Sequence, residues 1–363
     1  LIIQAPDLGG DTDTPDETAP AAPRGPATIY DVAAAAGVSI KTVSRVLNRE
    51  PNVRHVTRER VVDVASRLRY RPNASARSLA GSRSYLIGLL IDNPSLGYVA
   101  ELQFGAMARC RQEGFHLVAE PIETGAPDTA ARLRAMLVDL HLDGVILTPP
   151  ACDDLEVLSV LEAAGAPFVR IAPGREPGRA ACVRMDDAAA AHELTGLLLQ
   201  LGHRDIGFIL GDPAHGAAAA RCAGFKAAMA EAGVEVRPDR LRQGDFSYRS
   251  GVLAAEALLA GPDRPTAIFA GNDDMALGAI STANRLGLSV PGDVSVCGFD
   301  DTPAARAVWP RLTTVRQPIV EMAQEAAGLL IAGSMIDDRG RPVERLLAFR
   351  IEARESTAPP PRT

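Results

Sequence analysis

Aromatic side chains are scarce, with nine Phe, five Tyr and one Trp among 363 residues. Any core must therefore be built from Ala, Leu, Val and Ile, which a chain of this length can do without covalent staples. Cysteine is equally thin. Cys110, Cys152, Cys182, Cys222 and Cys297 stand alone, odd in number and without a CxxC pair. That excludes a disulfide framework and fits thiols used as small core residues in a reducing compartment. The six His are scattered too, so no metal site is expected, and no cofactor. No run of about 18 apolar residues exists, so no membrane span is expected. Leu1-Ile2-Ile3 is too short for a signal-peptide core and is followed by an acidic, Pro-rich stretch, so secretion is not expected. Nucleophile motifs, Walker loops and dinucleotide fingerprints are missing, and the adjacent Asp300 and Asp301 would point to opposite sides of a strand end. An enzyme is not expected.

A formal net charge of −7 argues, by itself, against nucleic acid as a partner. Its distribution argues the other way. Residues 1–27 carry a net −4, residues 28–83 a net +7, and the remainder −10. A basic block on an acidic body is the asymmetry of a nucleic-acid reader.

The Pro-, Asp- and Thr-rich residues 1–27, and residues 358–363, read as disordered tails. From Thr28 onward the pattern is of short helices. Thr28 caps a helix over Tyr30–Ala36, Gly37 breaks it, and Ser39 caps a second over Ile40–Leu47. Thr57 caps a third over Arg58–Leu68, with Val61, Val64, Ala65 and Leu68 on one face. After Tyr85, short apolar runs alternate with amphipathic stretches. Strands are expected at Leu86–Ile91, His116–Ala119, Gly144–Leu147, Phe168–Ile171, Ile206–Leu210, Ala267–Ala270 and Val294–Gly298. The alternation predicts parallel α/β sheets, and its length predicts two lobes.

The first two helices have helix-turn-helix logic. Ala33 is small where helices cross, Gly37 supplies the turn, and Val38 and Val43 hold the pair together. Ile40, Lys41, Ser44 and Arg45 face outward, where they can reach base edges and phosphates.

These residues carry a resemblance. The ordered set Thr28-Ile29-Tyr30-Asp31-Val32-Ala33, Gly37-Val38-Ser39 and Thr42-Val43-Ser44-Arg45-Val46-Leu47-Asn48 is similar to the headpiece of the LacI/GalR (lac repressor) family of bacterial transcription regulators. Leu68-Arg69-Tyr70-Arg71-Pro72-Asn73-Ala74 and Arg77-Ser78-Leu79-Ala80-Gly81 continue it into that family's hinge. The resemblance extends through the body to about residue 355. It implies an all-α helix-turn-helix headpiece over 28–72, a hinge helix over 73–83, and a two-lobed periplasmic-binding-protein-like α/β effector domain over 84–357. The first lobe would comprise about 84–184 and 318–342, the second about 185–317 and 343–357.

The resemblance places Ile40, Lys41 and Arg45 at base-reading positions, and the chemistry agrees. Arg45 can grip guanine O6 and N7, Lys41 can donate to guanine, and Ile40 can pack on a thymine methyl. Thr28, Tyr30, Ser39, Thr42, Ser44, Asn48 and Asn52 suit phosphate contacts. Asn73, Arg77, Leu79 and Ala80 would enter the minor groove, with Leu79 as the apolar wedge.

In the body, the resemblance implies ligand contacts from Arg221, Asn272 and Asp300, with Phe246 as the covering aromatic. Asn93, Tyr98 and Thr148 lie at strand ends of the first lobe. A carboxylate, an amide and a guanidinium fork suit vicinal hydroxyls, and Phe246 can cover a pyranose face. Asp273, Asp274 and Asp301 read as helix caps. Many members carry an acid after the Phe168–Ile171 strand, where this chain has Ala172. Arg170, two residues earlier, would point to the same side and suit an acidic sugar. The expectation is a cytoplasmic homodimeric repressor of a carbohydrate-utilisation operon. It would hold a pseudopalindromic double-stranded operator and be released by a sugar-like effector. A corepressor-dependent repressor sensing a purine-like metabolite is the alternative.

Overall fold

The computed structural model describes residues 27–47, 53–70 and 83–361. The chain divides into two compact units, Leu1–Ala80 and Gly81–Thr363.

Among the described residues, the first unit holds three helices: α1 (Ile29–Ala36), α2 (Ile40–Leu47) and α3 (His55–Arg67). A capping box starts α1: the Thr28 hydroxyl accepts from Asp31 N–H, and the Asp31 carboxylate accepts from Thr28 N–H. Gly37 ends it at φ +64, a left-handed conformation that glycine adopts without steric cost. Ser39 Oγ then accepts from Thr42 N–H at the head of α2. Val32, Ala33, Ala36, Val43, Val46, Val61, Val64 and Ala65 form one small core. The third helix starts earlier than the Thr57 cap implied. Arg54 C=O accepts from both Thr57 N–H and Arg58 N–H, so the helical ladder reaches back to His55 and Thr57 lies inside the first turn.

The second unit contains two six-stranded sheets. The first has order β11-β5-β4-β3-β1-β2 and is parallel throughout. It uses β1 (Leu86–Ile91), β2 (His116–Pro121), β3 (Gly144–Leu147), β4 (Phe168–Ile171), β5 (Cys182–Arg184) and β11 (Glu344–Leu346). The second has order β12-β10-β9-β8-β6-β7, parallel except for the antiparallel β12. Its strands are β6 (Ile206–Leu210), β7 (Leu241–Gln243), β8 (Ala267–Ala270), β9 (Ser295–Asp300), β10 (Thr313–Arg316) and β12 (Arg350–Glu352). Helices α4 (Leu96–Gln112), α5 (Thr129–Leu140), α6 (Leu155–Ala163) and α12 (Ile319–Ala332) belong to the first lobe. Helices α7 (Asp187–Gln200), α8 (Gly216–Glu231), α9 (Tyr248–Leu259), α10 (Asp273–Arg285) and α11 (Pro303–Ala307) belong to the second. The cores are aliphatic as expected, and the five thiols are buried and free.

The chain crosses between lobes after β5, after β10 and after β11. The third crossing corrects the expectation of 342. Glu344–Leu346 pair with Cys182–Arg184, and Leu347 N–H donates to Arg184 C=O, so the first lobe keeps the chain to about 347. The C-terminal tail likewise begins later than 358. Ala358 C=O accepts from His203 Nε2 at 2.8 Å, and Ala358 N–H donates to Ser295 Oγ at 3.0 Å. Backbone bonding of this kind pins a segment whatever its proline content.

Candidate functional site

Two sites emerge, one in each unit. On α2, Val43 and Val46 turn inward while Ile40, Lys41 and Arg45 lie on the exposed face, Ile40 at 40%. This is the amphipathic split that leaves one helix face for a groove. Tyr30 is exposed beside it in sequence order on α1. Thr28, Ser39 and Thr42 sit at the two helix starts, Thr28 bonded to Asp31 and the Ser39 and Thr42 hydroxyls to each other, where the positive helix end suits phosphate oxygens. Thr28 also holds Asp31 below the usual carboxylate range by hydrogen bonding. Asn48, Asn52, Asn73, Arg77, Leu79 and Ala80 lie outside the described residues.

The second site lies between the two sheets, at the C-terminal ends of their strands. It encloses about 380 Å³ of empty space, open mouth included. Six of the eight expected residues line it: Asn93, Tyr98, Arg221, Phe246, Asn272 and Asp300.

Arg221 is its electrostatic centre. Nε donates to Asp187 Oδ1 at 2.9 Å, and Nη1 donates to Gly271 C=O at 2.6 Å. The guanidinium carbon stands 3.6 Å from the Phe299 ring centroid, a cation–π stack. Asp300 Oδ1 lies 3.8 Å from Nη1 and accepts from Gln317 Nε2 at 2.6 Å. Burial pushes Asp300 well above the usual carboxylate range, against the pull of Arg221. A ligand hydroxyl or a water-free partner at its second oxygen therefore replaces lost solvation.

Asn272 has two tasks. Its Oδ1 accepts from Met275 N–H to cap α10, and its Nδ2 donates to Phe246 C=O at 2.9 Å. One amide hydrogen remains for a ligand. The Phe246 ring is seated on Gly211, where any Cβ would fall 1.9 Å from ring atom Cζ. Tyr98 is buried and held protonated, chiefly by desolvation, so its hydroxyl is a neutral donor.

Two expected contacts are not in the cavity. Thr148 is buried and donates its hydroxyl to Leu90 C=O at 2.8 Å, tying β3 to β1. Arg170 is fully buried under the loop 172–176. The two-residue alternation that aligned it with Ala172 fails because Ala172 lies beyond the strand at φ +47, so the chain has already turned. Ala172 lines the cavity and Arg170 does not.

Ser95, His215 and Gln317 also line the cavity and were not anticipated. Ser95 and His215 follow strand ends, a positional signal that was available in the sequence. Burial keeps the His215 imidazole below the ordinary histidine range, hence neutral. Gln317 sits on the second crossing and owes its role to tertiary placement.

Asp273 and Asp301 are not caps; Asn272 holds that position for α10. Asp301 Oδ1 accepts from Arg354 at 2.6 Å, and its Oδ2 accepts from Arg306 at 3.1 Å. Asp273 accepts from Thr302 N–H at 2.8 Å and from the Thr314 hydroxyl at 2.6 Å. Burial raises Asp273 to about 7. A carboxyl whose folded value is raised contributes stability that is fully present below about pH 4 and is lost as pH rises to about 7. The melting midpoint should therefore fall between about pH 5 and about pH 8. Asp273→Asn should flatten that slope in a pair of thermal melts, and an unchanged slope would assign it to other groups.

Among the described residues, no helix is long and apolar enough to cross a membrane. A helix-turn-helix unit joined to a two-lobed α/β domain with a ligand-sized cleft defines a DNA-binding regulator controlled by a small molecule. Residues 28–73 match the profile described as bacterial regulatory proteins, lacI family, and residues 195–357 that of a periplasmic binding protein-like domain. The chain is 35% identical to catabolite control protein A of Priestia megaterium over 91% of its own length and 99% of that protein. It is 37% identical to the HTH-type transcriptional repressor PurR of Erwinia tasmaniensis over 84% and 89%. Solved neighbours include the transcriptional regulator CelR–cellobiose complex (32% identity, TM-score 0.69, 91% and 99% covered). They also include the lac repressor dimer bound to operator and the anti-inducer ONPF (28%, 0.73, 92% and 100%). The chain belongs to the LacI family of bacterial transcription regulators, and it is a regulator rather than an enzyme.

Proposed function

We propose that this chain is a cytoplasmic, homodimeric repressor of a carbohydrate-utilisation operon, released from a pseudopalindromic operator by a sugar-like effector. The observation that carries the reading is the cleft, in which Arg221, Asp300, Asn272, Asn93 and Tyr98 surround a small cavity faced by Phe246. Amide, carboxyl, guanidinium and phenol groups around one ring face match the alternating hydroxyls and C–H groups of a sugar. The relative described as a cellobiose complex supports the same ligand class. An effector moves the protein off DNA only through unequal affinity for its two states.

Ile40, Lys41 and Arg45 read bases in this proposal, and Thr28, Tyr30, Ser39, Thr42, Ser44, Asn48 and Asn52 hold phosphates. Asn73, Arg77, Leu79 and Ala80 occupy the minor groove. Dimerisation draws support from exposed apolar side chains on the body, including Phe104, Met107, Leu253 and Trp309, the last 76% exposed. A thermal-shift panel of sugars, sugar acids and purines tests the effector class, because a ligand bound only by the native state raises the melting midpoint. Stabilisation by purines alone would favour the second reading, a corepressor-dependent repressor. That reading is supported by the relatives named PurR and by the Arg221 guanidinium lying near the Phe246 ring.

Arg45→Ala should relax selectivity at one operator base pair by about 1–3 kcal/mol. Binding-site selection checks this, and unchanged selectivity would remove Arg45 from the base-reading set.

A further inference from the structure

The loop after β4 meets the start of α8 across the cleft, backbone against backbone. A Cβ on Gly174 would lie 2.3 Å from Gly216 Cα, and a Cβ on Gly216 would lie 2.2 Å from Gly174 Cα. Both values are far inside carbon–carbon contact, about 3.5–4.0 Å. Neither glycine has a left-handed backbone, so conformation does not call for glycine at either position. Only the contact does.

The first-lobe side of this contact is anchored. Asp153 Oδ2 accepts from Gly174 N–H at 2.7 Å, and Asp153 Oδ1 accepts from Arg170 Nη2 at 2.6 Å. Arg170 also donates to Arg175 C=O at 2.6 Å and Glu176 C=O at 2.7 Å. The contact adjoins two spaces. The ligand cavity reaches Ala172, His215 and Ala217. A second depression is lined by Gly174 and Gly216 themselves, with Arg184, Asp186 and Asp187, and shares Ala172 and Ala217 with the cavity. At another point of the cleft the lobes meet through side chains: Arg306 Nη2 lies 3.5 Å from Glu101 Oε1, and Thr302 stands against Gly97.

We infer that Gly174 and Gly216 form the seam on which the two lobes close, that the buried Arg170–Asp153 pair positions it, and that it confines the ligand to a single ring system. This rests on the cleft being the ligand site, and not on the ligand being a sugar. A second ring growing toward Ala172 and Ala217, which both spaces share, would meet the closed seam before it reached the second depression.

Inter-lobe distances decide the matter. Spin labels on Ser159→Cys and Glu235→Cys, both exposed, report the lobe separation by pulsed electron resonance, and the buried native thiols take no label. A short-distance population is expected in the otherwise unmodified chain and in Gly178→Ala, where a Cβ meets nothing. Gly216→Ala should lose that population, and Gly174→Ala should do the same if Gly216→Ala does not fold. Retention of the short distance in the folded variant would overturn the seam, as would its absence from the unmodified chain. The size limit is read separately, by thermal shift with D-glucose, D-ribose and cellobiose. Greater stabilisation by cellobiose than by D-glucose would overturn it. If none of the three stabilises the chain, the sugar reading fails and the distance measurement still decides the seam.

Discussion

Arg221→Ala is expected to abolish the response to any ligand that stabilises the unmodified chain, and to cost the α/β body about 3–5 kcal/mol. The stability loss follows from what the guanidinium leaves behind. Asp187 is nearly enclosed and held above the usual carboxylate range by burial, and Arg221 opposes that shift. Asp300 stands in the same position 3.8 Å away. Removing the cation strands two buried acids, and Gly271 C=O loses its donor as well. Asp300→Asn separates the two effects. It keeps the shape and the bond with Gln317 but removes the charge, so the ligand response should fall with a smaller change in ligand-free stability. Thermal melts with and without the ligand check both variants. A normal response in Asp300→Asn would place the ligand elsewhere.

Arg170→Ala is expected to be equally damaging to stability, about 3–5 kcal/mol, for a reason unrelated to ligand contact. The side chain is completely enclosed and donates four hydrogen bonds, to Cys152 C=O, Asp153, Arg175 C=O and Glu176 C=O. Its removal takes the paired cation from a buried carboxylate, which keeps the Gly174 and Arg175 N–H groups, and takes a donor from each of three carbonyls. Arg170→Lys should recover little, because an ammonium cannot span acceptors placed for a planar fork. The diagnostic is the ligand-free melt. A group that only gripped ligand would leave that midpoint in place and lower the liganded one alone. A fall in the ligand-free midpoint is the expected result.

The two arginines differ in how local pattern relates to final position. Both adjoin short apolar runs, and the sequence points both toward the ligand. Arg221 lies on α8, where helical spacing aims it at the cleft. Arg170 was aligned by strand alternation, which ends where the backbone turns at Ala172. The bounds of β1, β3, β6 and β8 were readable because each is a continuous apolar run, buried or nearly so along its length, and those of β4 because Arg170 alone interrupts its run. The three-residue strands β5, β7, β11 and β12 were not, since a stretch that short carries no period. In β11 all three side chains are exposed, so its place in the first sheet rests on backbone pairing and the surface Arg184–Glu344 ion pair, not on burial.

By itself, the sequence determined that a basic helical reader precedes an acidic α/β sensor. Those features reside in local order: caps and turns set the helices, apolar runs set the strands, and the segmental charges of +7 and −10 follow from residue counts. Most of the cleft was legible too, Arg221, Phe246, Asn272 and Asp300 through the family resemblance, and Asn93 and Tyr98 through their place after a strand end. The tertiary structure alone decided where the chain recrosses between lobes, which arginine lines the cleft and which lies under the 172–176 loop, and that two distant glycines touch. Each of these depends on contacts between residues far apart in the chain, where backbone hydrogen bonds and close packing, not local pattern, set the position.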